Sequence, residues 1–334
     1  MALPEKFKAM VVSETGEKKF VRNVTEKNLS DLPKGDLTIE VKYSSLNYKD
    51  ALSATGNKAV TKSYPHTPGI DAAGIVVESS DAKFNTGDEV LVTGYDLGAN
   101  TSGGYGRYIR VPASWAVKLP KGLGLKDSMV YGTAGFTAAL SVFHMENAGV
   151  KPSQGEVLVT GATGGVGCLA VGILAKSGYQ VVASTGKSGE KEFLTSIGAK
   201  EVISREEASD TSNRPILKGR WAGVVDTVGG NILATAIKSA RYGSAVTCCG
   251  MVASPQLSLS VFPFILRGVN LLGIDSVECP MDERVQIWNK IAGDWKLDSL
   301  GTLSSETSLA GLENKINAIL KGNLKGRVIV NLEL

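Results

Sequence analysis

The sequence predicts an α/β protein in two parts: a barrel-like unit of short strands, then a doubly wound parallel sheet, with a last strand returning to the first part. Three observations predict it. Over about the first 120 residues, short β-prone runs are broken by turn residues at roughly ten-residue intervals. From about residue 125 onward strands and helices alternate, which is the rhythm of a doubly wound sheet. At the centre of that alternation, Val157-Leu-Val-Thr160 runs into Gly161-Ala-Thr-Gly164-Gly165-Val-Gly167 and then into an apolar helix.

The elements follow in order. Lys8–Ser13 reads as a first strand, and Leu37–Tyr43 alternates apolar and polar residues as a half-buried strand does. Gly69–Glu78 is a strand with small residues where a backbone or ligand comes close, and Gly87–Val92 and Gly103–Val111 add two more. A helix with a small-residue face starts at Thr133 and runs to Phe143. The alternating part reads Glu156–Thr160, helix 166–177, Gln180–Ala183, helix 189–197, Glu201–Ile203, Gly223–Val228, helix 230–240, Ser244–Cys248 and Val269–Ile274. Met281–Trp295 is an amphipathic helix. Lys325–Leu332 is a strand for which the parallel sheet has no place left, so it is expected to rejoin the first unit. The expected domains are 1–124, completed by 299–334, and 125–298.

Composition bounds the function. The chain has 334 residues, 43% hydrophobic and 21% charged, with a net charge of +3 and no long like-charge run. That pattern offers no footprint for nucleic acid or a membrane surface. The start, Met1-Ala-Leu-Pro-Glu-Lys-Phe-Lys8, has no signal-peptide core, and no apolar run reaches membrane-span length. A cytoplasmic protein is the expectation. Cys168, Cys248, Cys249 and Cys279 form no C-x-x-C pair, and His66 and His144 are the only histidines. Neither a catalytic nor a structural zinc site is expected from that ligand supply, and buried free thiols are expected at Cys248 and Cys249.

Strand, glycine turn and helix together make a phosphate-binding element. Gly161 permits a tight turn, Gly164 and Gly165 let backbone N–H groups approach a pyrophosphate, and Gly167 lets the helix pack close to its strand. The helix N-terminus then faces the anion with free donors and partial positive charge. The next strand, Gln180–Ala183, is followed by Ser184-Thr185-Gly186-Lys187. An NAD-binding unit commonly has Asp or Glu there for the ribose 2′-hydroxyl. Small hydroxylated residues and a cation suit a 2′-phosphate, so NADP(H) is expected, with Lys191 and Arg205 able to assist. A solvated loop lysine would fit the same letters.

The chain resembles the medium-chain dehydrogenase/reductase superfamily over essentially its whole length. The resemblance rests on Ser44-Ser-Leu-Asn-Tyr-Lys-Asp50, Pro68-Gly-Ile-Asp-Ala-Ala-Gly74, Gly132-Thr-Ala-Gly-Phe-Thr-Ala138, Val159–Gly167 and Pro263-Phe-Ile-Leu-Arg267. Within it, the chain looks like the zinc-free quinone-oxidoreductase-like branch and its acrylyl-CoA reductase subgroup. Zinc-dependent members carry Cys where this chain has the Ser45–Asn47 stretch. The resemblance implies a GroES-like β-barrel domain plus a Rossmann domain.

It also implies site residues. Asn47 and Tyr48 would lie beside the nicotinamide, and Thr133 would touch the cofactor from the start of the linking helix, although a helix cap would use Thr133 equally well. Thr163, Gly164, Gly165 and Val166 would hold the pyrophosphate; Thr185, Gly186 and Lys187, with Arg205, the 2′-phosphate. Backbone near Phe264 and Ile265 would meet the nicotinamide amide, as would the turn at Ser276, while Phe264 would equally serve as core. Arg327 would reach a cofactor phosphate or stand as a surface cation.

The implied reaction is NADPH-dependent reduction of an activated C=C bond, acryloyl-CoA to propionyl-CoA, with Tyr48 and Asn47 as catalytic residues and Tyr48 the donor to the developing enolate. Lys49 and Asp50 are expected to pair in support of that loop. Related enoyl-thioester reductases carry a tyrosine near the position of Gly56-Asn57-Lys58; this chain has none there, which leaves water as another proton source. Reduction of quinones or other enones, and a non-catalytic NADPH-binding role, remain alternatives. The apolar edge Val269–Ile274 implies a homodimer.

Overall fold

The computed structural model describes residues 3–334; Met1 and Ala2, the first residues of the stretch read for a leader, lie outside the described residues. Two units emerge. The first is Met1–Thr133, Val277–Ala292 and Ser299–Leu334; the second is Ala134–Ser276 and Gly293–Asp298.

In the first unit, β1 (Lys6–Gly16) and β2 (Lys19–Asn28) form an antiparallel ribbon. A mainly antiparallel sheet runs β14 (Ser304–Thr307), β15 (Arg327–Asn331), β3 (Leu37–Ser45), β4 (Asp71–Ser79), β5 (Glu89–Thr93) and β7 (Ala116–Lys118). One edge of β3 is shared: Leu37–Glu40 pair with β6 (Tyr108–Val111), and Tyr43–Ser45 pair with β15. The opposite edge carries β4. The returning strand therefore does join this sheet. Alternation accounts for the buried face, since Leu37, Ile39, Val41, Val90 and Val92 pack with Ile109 and Val111. A second cluster seats α9 (Leu312–Leu320) against Met10, Val12, Leu46, Ala51 and Val328, next to α1 (Tyr48–Ser53). The short α8 (Leu300–Leu303) leads into β14.

The second unit holds a six-stranded parallel sheet in the order β10 (Glu201–Ser204), β9 (Gln180–Thr185), β8 (Glu156–Val159), β11 (Trp221–Asp226), β12 (Ala240–Cys248) and β13 (Asn270–Gly273). The chain winds outward from β8 to one side and then returns to β11, so the topological switch point lies between β8 and β11. Its helices include α3 (Gly165–Lys176), α4 (Lys191–Ser196), α5 (Gly230–Lys238) and α6 (Phe262–Arg267). Central strands are apolar throughout, as burial on both faces requires: Val157, Leu158 and Val159, with Val224 and Val225, are 0–1% exposed.

Two helices depart from expectation. α2 (Leu125–Asn147) begins eight residues before Thr133 and kinks at Gly132, whose φ of 52° and ψ of −156° are not helical. Gly132 therefore divides the run into two helices, and the second begins at Thr133, where the sequence placed a helix start. α7 (Met281–Ala292) was expected in the nucleotide unit, yet it belongs to the first. The reason is Arg284, which is fully buried: its guanidinium stacks 4.5 Å from the Tyr95 ring and donates to the Thr93 carbonyl at 2.8 Å. No helix among the described residues is long and apolar enough to cross a membrane.

Candidate active site

The phosphate-binding element forms as its residues require. β8 ends at Val159, the chain turns through Gly161 in the left-handed region (φ 58°), and α3 starts after its N-cap Gly164. α3 lies so close to that turn that a Cβ on Gly167 would sit 2.7 Å from the Ala162 Cα. Thr163 is buried, and its hydroxyl meets that of Thr185 at 3.2 Å, joining the turn to the end of β9. Thr163, Gly164, Gly165 and Val166 thus stand together at the first turn of a twelve-residue helix, where N–H groups lack intrahelical acceptors.

At the end of β9 a pocket of about 160 Å³ is lined by Thr185, Gly186, Lys187, Ser188 and Lys191 on one side and by Val202, Ile203, Ser204 and Glu206 on the other. Arg205 covers Gly186: a Cβ there would lie 2.6 Å from the guanidinium. The Thr185 hydroxyl accepts the Lys187 backbone N–H at 3.1 Å, which shapes the turn. Thr185, Gly186, Lys187, Lys191 and Arg205, named from sequence, come together, and Ser188 joins them. Hydroxyls and cations around a small opening suit a phosphate ester.

At the switch point sequence reasoning missed a buried brace. Asp226 ends β11; its carboxylate accepts from the Thr160 hydroxyl at 2.7 Å and the Gly229 N–H at 2.8 Å. Thr227 returns its hydroxyl to the Thr160 carbonyl at 2.9 Å. Burial pushes the Asp226 carboxyl above its ordinary range, while these donors oppose the shift. The brace ties the ends of β8 and β11 at the crevice.

Phe264 and Ile265 sit in α6, and the expectation of backbone contacts to a nicotinamide amide needs correction. Both backbone N–H groups bond the Val261 carbonyl, at 3.0 and 3.1 Å, and the Phe264 carbonyl accepts from Gly268. The backbone N–H groups are therefore taken, which leaves carbonyls and side chains to offer. Phe264 packs on the core of the second unit, and Ile265 is 68% exposed. Ser276, half-buried, ends the segment after β13.

In the first unit, Asn47 and Tyr48 sit at the start of α1, with Asn47 as N-cap. The Asn47 backbone N–H donates to Asp50 Oδ2 at 2.8 Å. Asp50 Oδ1 accepts from Gly69 and Ile70 backbone N–H groups at 3.2 and 2.8 Å. The expected Lys49–Asp50 pair does not form, because Asp50 is fully buried and its oxygens are taken by backbone donors. Burial first, then the Asp71 carboxylate nearby, push Asp50 up to about 7.

Asp71 gathers the rest. Its carboxylate accepts from the Ser45 hydroxyl (2.5 Å), the Asn47 amide (2.8 Å), the Thr133 N–H (3.0 Å) and the Thr133 hydroxyl (2.5 Å). Gly132 makes this approach possible, since a Cβ there would stand 2.6 Å from the Ser45 hydroxyl. Arg327 was expected at a cofactor phosphate or on the surface, and the geometry corrects both. It is 3% exposed, and its guanidinium donates to the Val130 and Leu46 carbonyls, to Asn47 Oδ1 (3.2 Å) and to the Ser45 hydroxyl (2.7 Å), 3.8 Å from Asp71. Tyr48, the next residue along, is 45% exposed. Asp71 lay inside a motif quoted for the resemblance, Pro68–Gly74, and its charge among small apolar neighbours was the signal that marked it.

Two cations of the first unit are engaged in ion pairs. Arg107 pairs with Glu40 at 2.6 Å, and Lys58 pairs with Glu14 at 3.0 Å over the Tyr64 ring. Cys248 and Cys249 are free but only half-buried, and Cys249 lies just past the end of β12.

With this geometry in place, the comparisons are direct. The alcohol dehydrogenase GroES-like domain model matches residues 33–121, and the zinc-binding dehydrogenase model matches 165–291. The putative quinone oxidoreductase YhfP of Bacillus subtilis (strain 168) is 49% identical over 303 residues, covering 90% of this chain and 92% of that protein. The chain belongs to the medium-chain dehydrogenase/reductase superfamily. Acrylyl-CoA reductase AcuI of Ruegeria pomeroyi is 44% identical over 327 residues, 98% of this chain and 99% of that protein. The yhdH oxidoreductase of Salmonella enterica, solved in complex with NADP, superposes with a TM-score of 0.95 at 42% identity, over 97% of this chain and 99% of its own. Bacillus subtilis yhfP, solved with NAD bound, has a TM-score of 0.95 at 46% identity, over 98% and 99%. Within the superfamily this chain is acrylyl-CoA reductase-like.

The family description mentions zinc, and the donors here do not fit that ion. Among the described residues no three His, Cys, Asp or Glu side chains group together. Around Asp71 the neighbours are hydroxyl and amide donors directed at its carboxylate, with a guanidinium behind them. A cationic ligand would meet one anion already satisfied.

Proposed function

We propose that this chain is an NADPH-dependent reductase of an activated carbon–carbon double bond, acting on acryloyl-CoA to give propionyl-CoA. The observation that carries the reading is the full-length likeness to a relative named acrylyl-CoA reductase. The cation-lined pocket at Thr185–Lys187 supports NADPH as the reductant. When bound, NADPH supplies the hydride that adds to the substrate β-carbon.

The chain's own residues do the rest. Thr163 to Val166 hold the pyrophosphate, and Thr185, Gly186, Lys187 and Arg205 hold the 2′-phosphate. Thr133, Phe264, Ile265 and Ser276 serve the cofactor further along. As hydride arrives, negative charge develops on the thioester oxygen, and a donor must meet it. Tyr48 takes that role: its hydroxyl can donate, and its ring is exposed enough to be met by substrate. Asn47 orients Tyr48 from the N-cap. The α-carbon receives its proton from the Tyr48 hydroxyl or from water.

A second reading is quinone or enone reduction, favoured by the 49% identity to a relative named putative quinone oxidoreductase. Loss of reduced-nicotinamide absorbance, followed in parallel with acryloyl-CoA and a simple quinone, decides between them. NADPH-specific turnover of acryloyl-CoA supports the first reading; turnover of quinone alone replaces it. Tight NADPH binding with no turnover of either substrate favours a non-catalytic role.

The active form is proposed to be a homodimer in the cytoplasm. Among the described residues β13 ends the parallel sheet with β12 as its one neighbour, and Leu271 on it, with Val261, Phe262, Ile265 and Leu266 on and before α6, expose apolar surface. Pairing β13 with its twin would cover that edge.

A further inference from the structure

Behind the exposed Tyr48 stands a buried anion that no step of the reaction uses. Asp71 is fully buried, as are Ser45 and Asp50, and Arg327 is 3% exposed. Such a polar cluster is costly unless fully satisfied.

The cluster acts on one short stretch. The Asn47 amide is held at both ends: Nδ2 donates to Asp71 at 2.8 Å, and Oδ1 accepts from Arg327 at 3.2 Å. That pairing allows one orientation of the amide. The Asn47 backbone N–H is held by Asp50, and the Leu46 carbonyl by Arg327. Thr133, placed by the Gly132 kink, closes the carboxylate's other side with its N–H and hydroxyl. The main chain entering Tyr48 is therefore set by groups from β3, β4, α2 and β15, while the Tyr48 ring itself is held by none of them.

We propose that Asp71 is a positioning residue: by fixing Asn47, and through Thr133 the kink of α2, it sets the direction from which the Tyr48 hydroxyl meets substrate. This rests on the reading of the chain as an enoyl-thioester reductase with Tyr48 as donor. The Asp71 carboxylate accepts from Ser45, Asn47 and Thr133, and its effect passes through Asn47. Removing it should misplace the donor more than it weakens binding.

The test uses Asp71→Asn, Thr133→Val and Thr133→Ser in the full chain, after wild-type turnover of acryloyl-CoA has been established. Asp71→Asn should lower kcat by roughly 10- to 100-fold, the scale of a donor displaced by about an ångström. The KM for acryloyl-CoA and the NADPH Kd should stay within about twofold, since positioning affects the transition state more than ground-state binding. Thr133→Ser, which keeps the hydroxyl, should retain roughly tenfold more activity than Thr133→Val, the difference of one charge-assisted hydrogen bond. Wild-type kcat in a folded Asp71→Asn, or equal damage from Ser and Val at 133, would overturn the proposal. If Asp71→Asn does not fold, the Thr133 pair decides it through kcat compared at saturating NADPH, with the NADPH Kd of each variant measured alongside because Thr133 also serves the cofactor; a Ser/Val difference confined to the NADPH Kd overturns the proposal.

If wild-type protein turns over neither substrate, the enzyme reading fails separately. Positioning is then judged by NMR of a ¹⁵N-labelled chain. The Asn47 side-chain amide resonance should shift, and the Tyr48 backbone order parameter should fall, in Asp71→Asn or, should that variant not fold, in Thr133→Val. An unchanged Tyr48 would sink the idea.

Discussion

Replacing Arg205 and Lys187 by alanine should separate NADPH from NADH. The two cations belong to the Thr185–Glu206 pocket: Lys187 lines it, and Arg205 lies over Gly186 beside it. A charge-assisted hydrogen bond contributes about 1.5–3 kcal/mol. The pocket opens at the surface and Arg205 is exposed, so screening by water places each contact at the low end of that range. At about 1.4 kcal/mol per tenfold change, each single variant should weaken NADPH roughly tenfold, and the double variant roughly a hundredfold. NADH lacks the 2′-phosphate, so its Kd should move by less than about twofold. Raising salt from about 0.05 to 0.5 M should weaken NADPH binding to the wild type and leave the double variant nearly flat, because salt screens the same cations. The assay is nicotinamide fluorescence titration with both dinucleotides at each salt concentration. Equal losses for NADH and NADPH would mean that the substitutions disturbed the β9–α4 turn and not a phosphate site. No loss with either would refute the assignment of the pocket.

Three further outcomes are expected. Gly167→Ala forces a Cβ to 2.7 Å from the Ala162 Cα, both in tightly packed backbone, so it should cost about 1–3 kcal/mol of unfolding free energy and weaken both dinucleotides alike; thermal unfolding and the same titration measure it. Asp50, pushed up to about 7 against about 3.9 in an unfolded chain, holds its proton more tightly when folded. It therefore contributes stability that is fully present below about pH 4 and is lost as pH rises through about 7. The titratable groups that act on it are Asp71 and Tyr105, and Asp71→Asn removes the like charge. Stability of that variant should fall less between about pH 5 and 8 than the wild type's, and urea titrations with identical slopes would refute the coupling. Leu271→Asp on the open edge of β13 should convert a dimer to monomer in sedimentation equilibrium, whereas an unchanged mass would place any interface elsewhere.

Much of the second unit was legible in sequence because its signals are local. Strands buried on both faces read as unbroken apolar runs, and the helices between them carry their own period, so β8 to β13 were placed within a few residues. The glycine turn was legible for the same reason: its geometry depends on which residues lack a Cβ, and that is written in order along the chain. β2 escaped because it pairs only with β1 and faces solvent; Val21 and Val24 are about 40% exposed, and no apolar alternation marks the strand. α7 was seen as a helix but assigned to the wrong unit, since an amphipathic stripe says that a face is buried and not against what. Arg284 lies under Tyr95 through a contact nearly two hundred positions away in sequence.

By itself, the sequence determined the two-part architecture, the glycine turn of the dinucleotide element and the hydroxyl-and-cation set at Thr185–Lys187. Only the tertiary structure decided what Asp71, Asp50 and Arg327 do. A charged residue looks alike in sequence whether it meets solvent, a phosphate or a buried partner. Arg327 reads as a surface or phosphate cation until β15 is laid beside β3, where it is enclosed with Ser45, Asn47 and Asp71. Burial converts those charges from solvated groups into a fixed frame, and burial is a property of strands and helices brought together from residues 45, 71, 133 and 327, which no local pattern records.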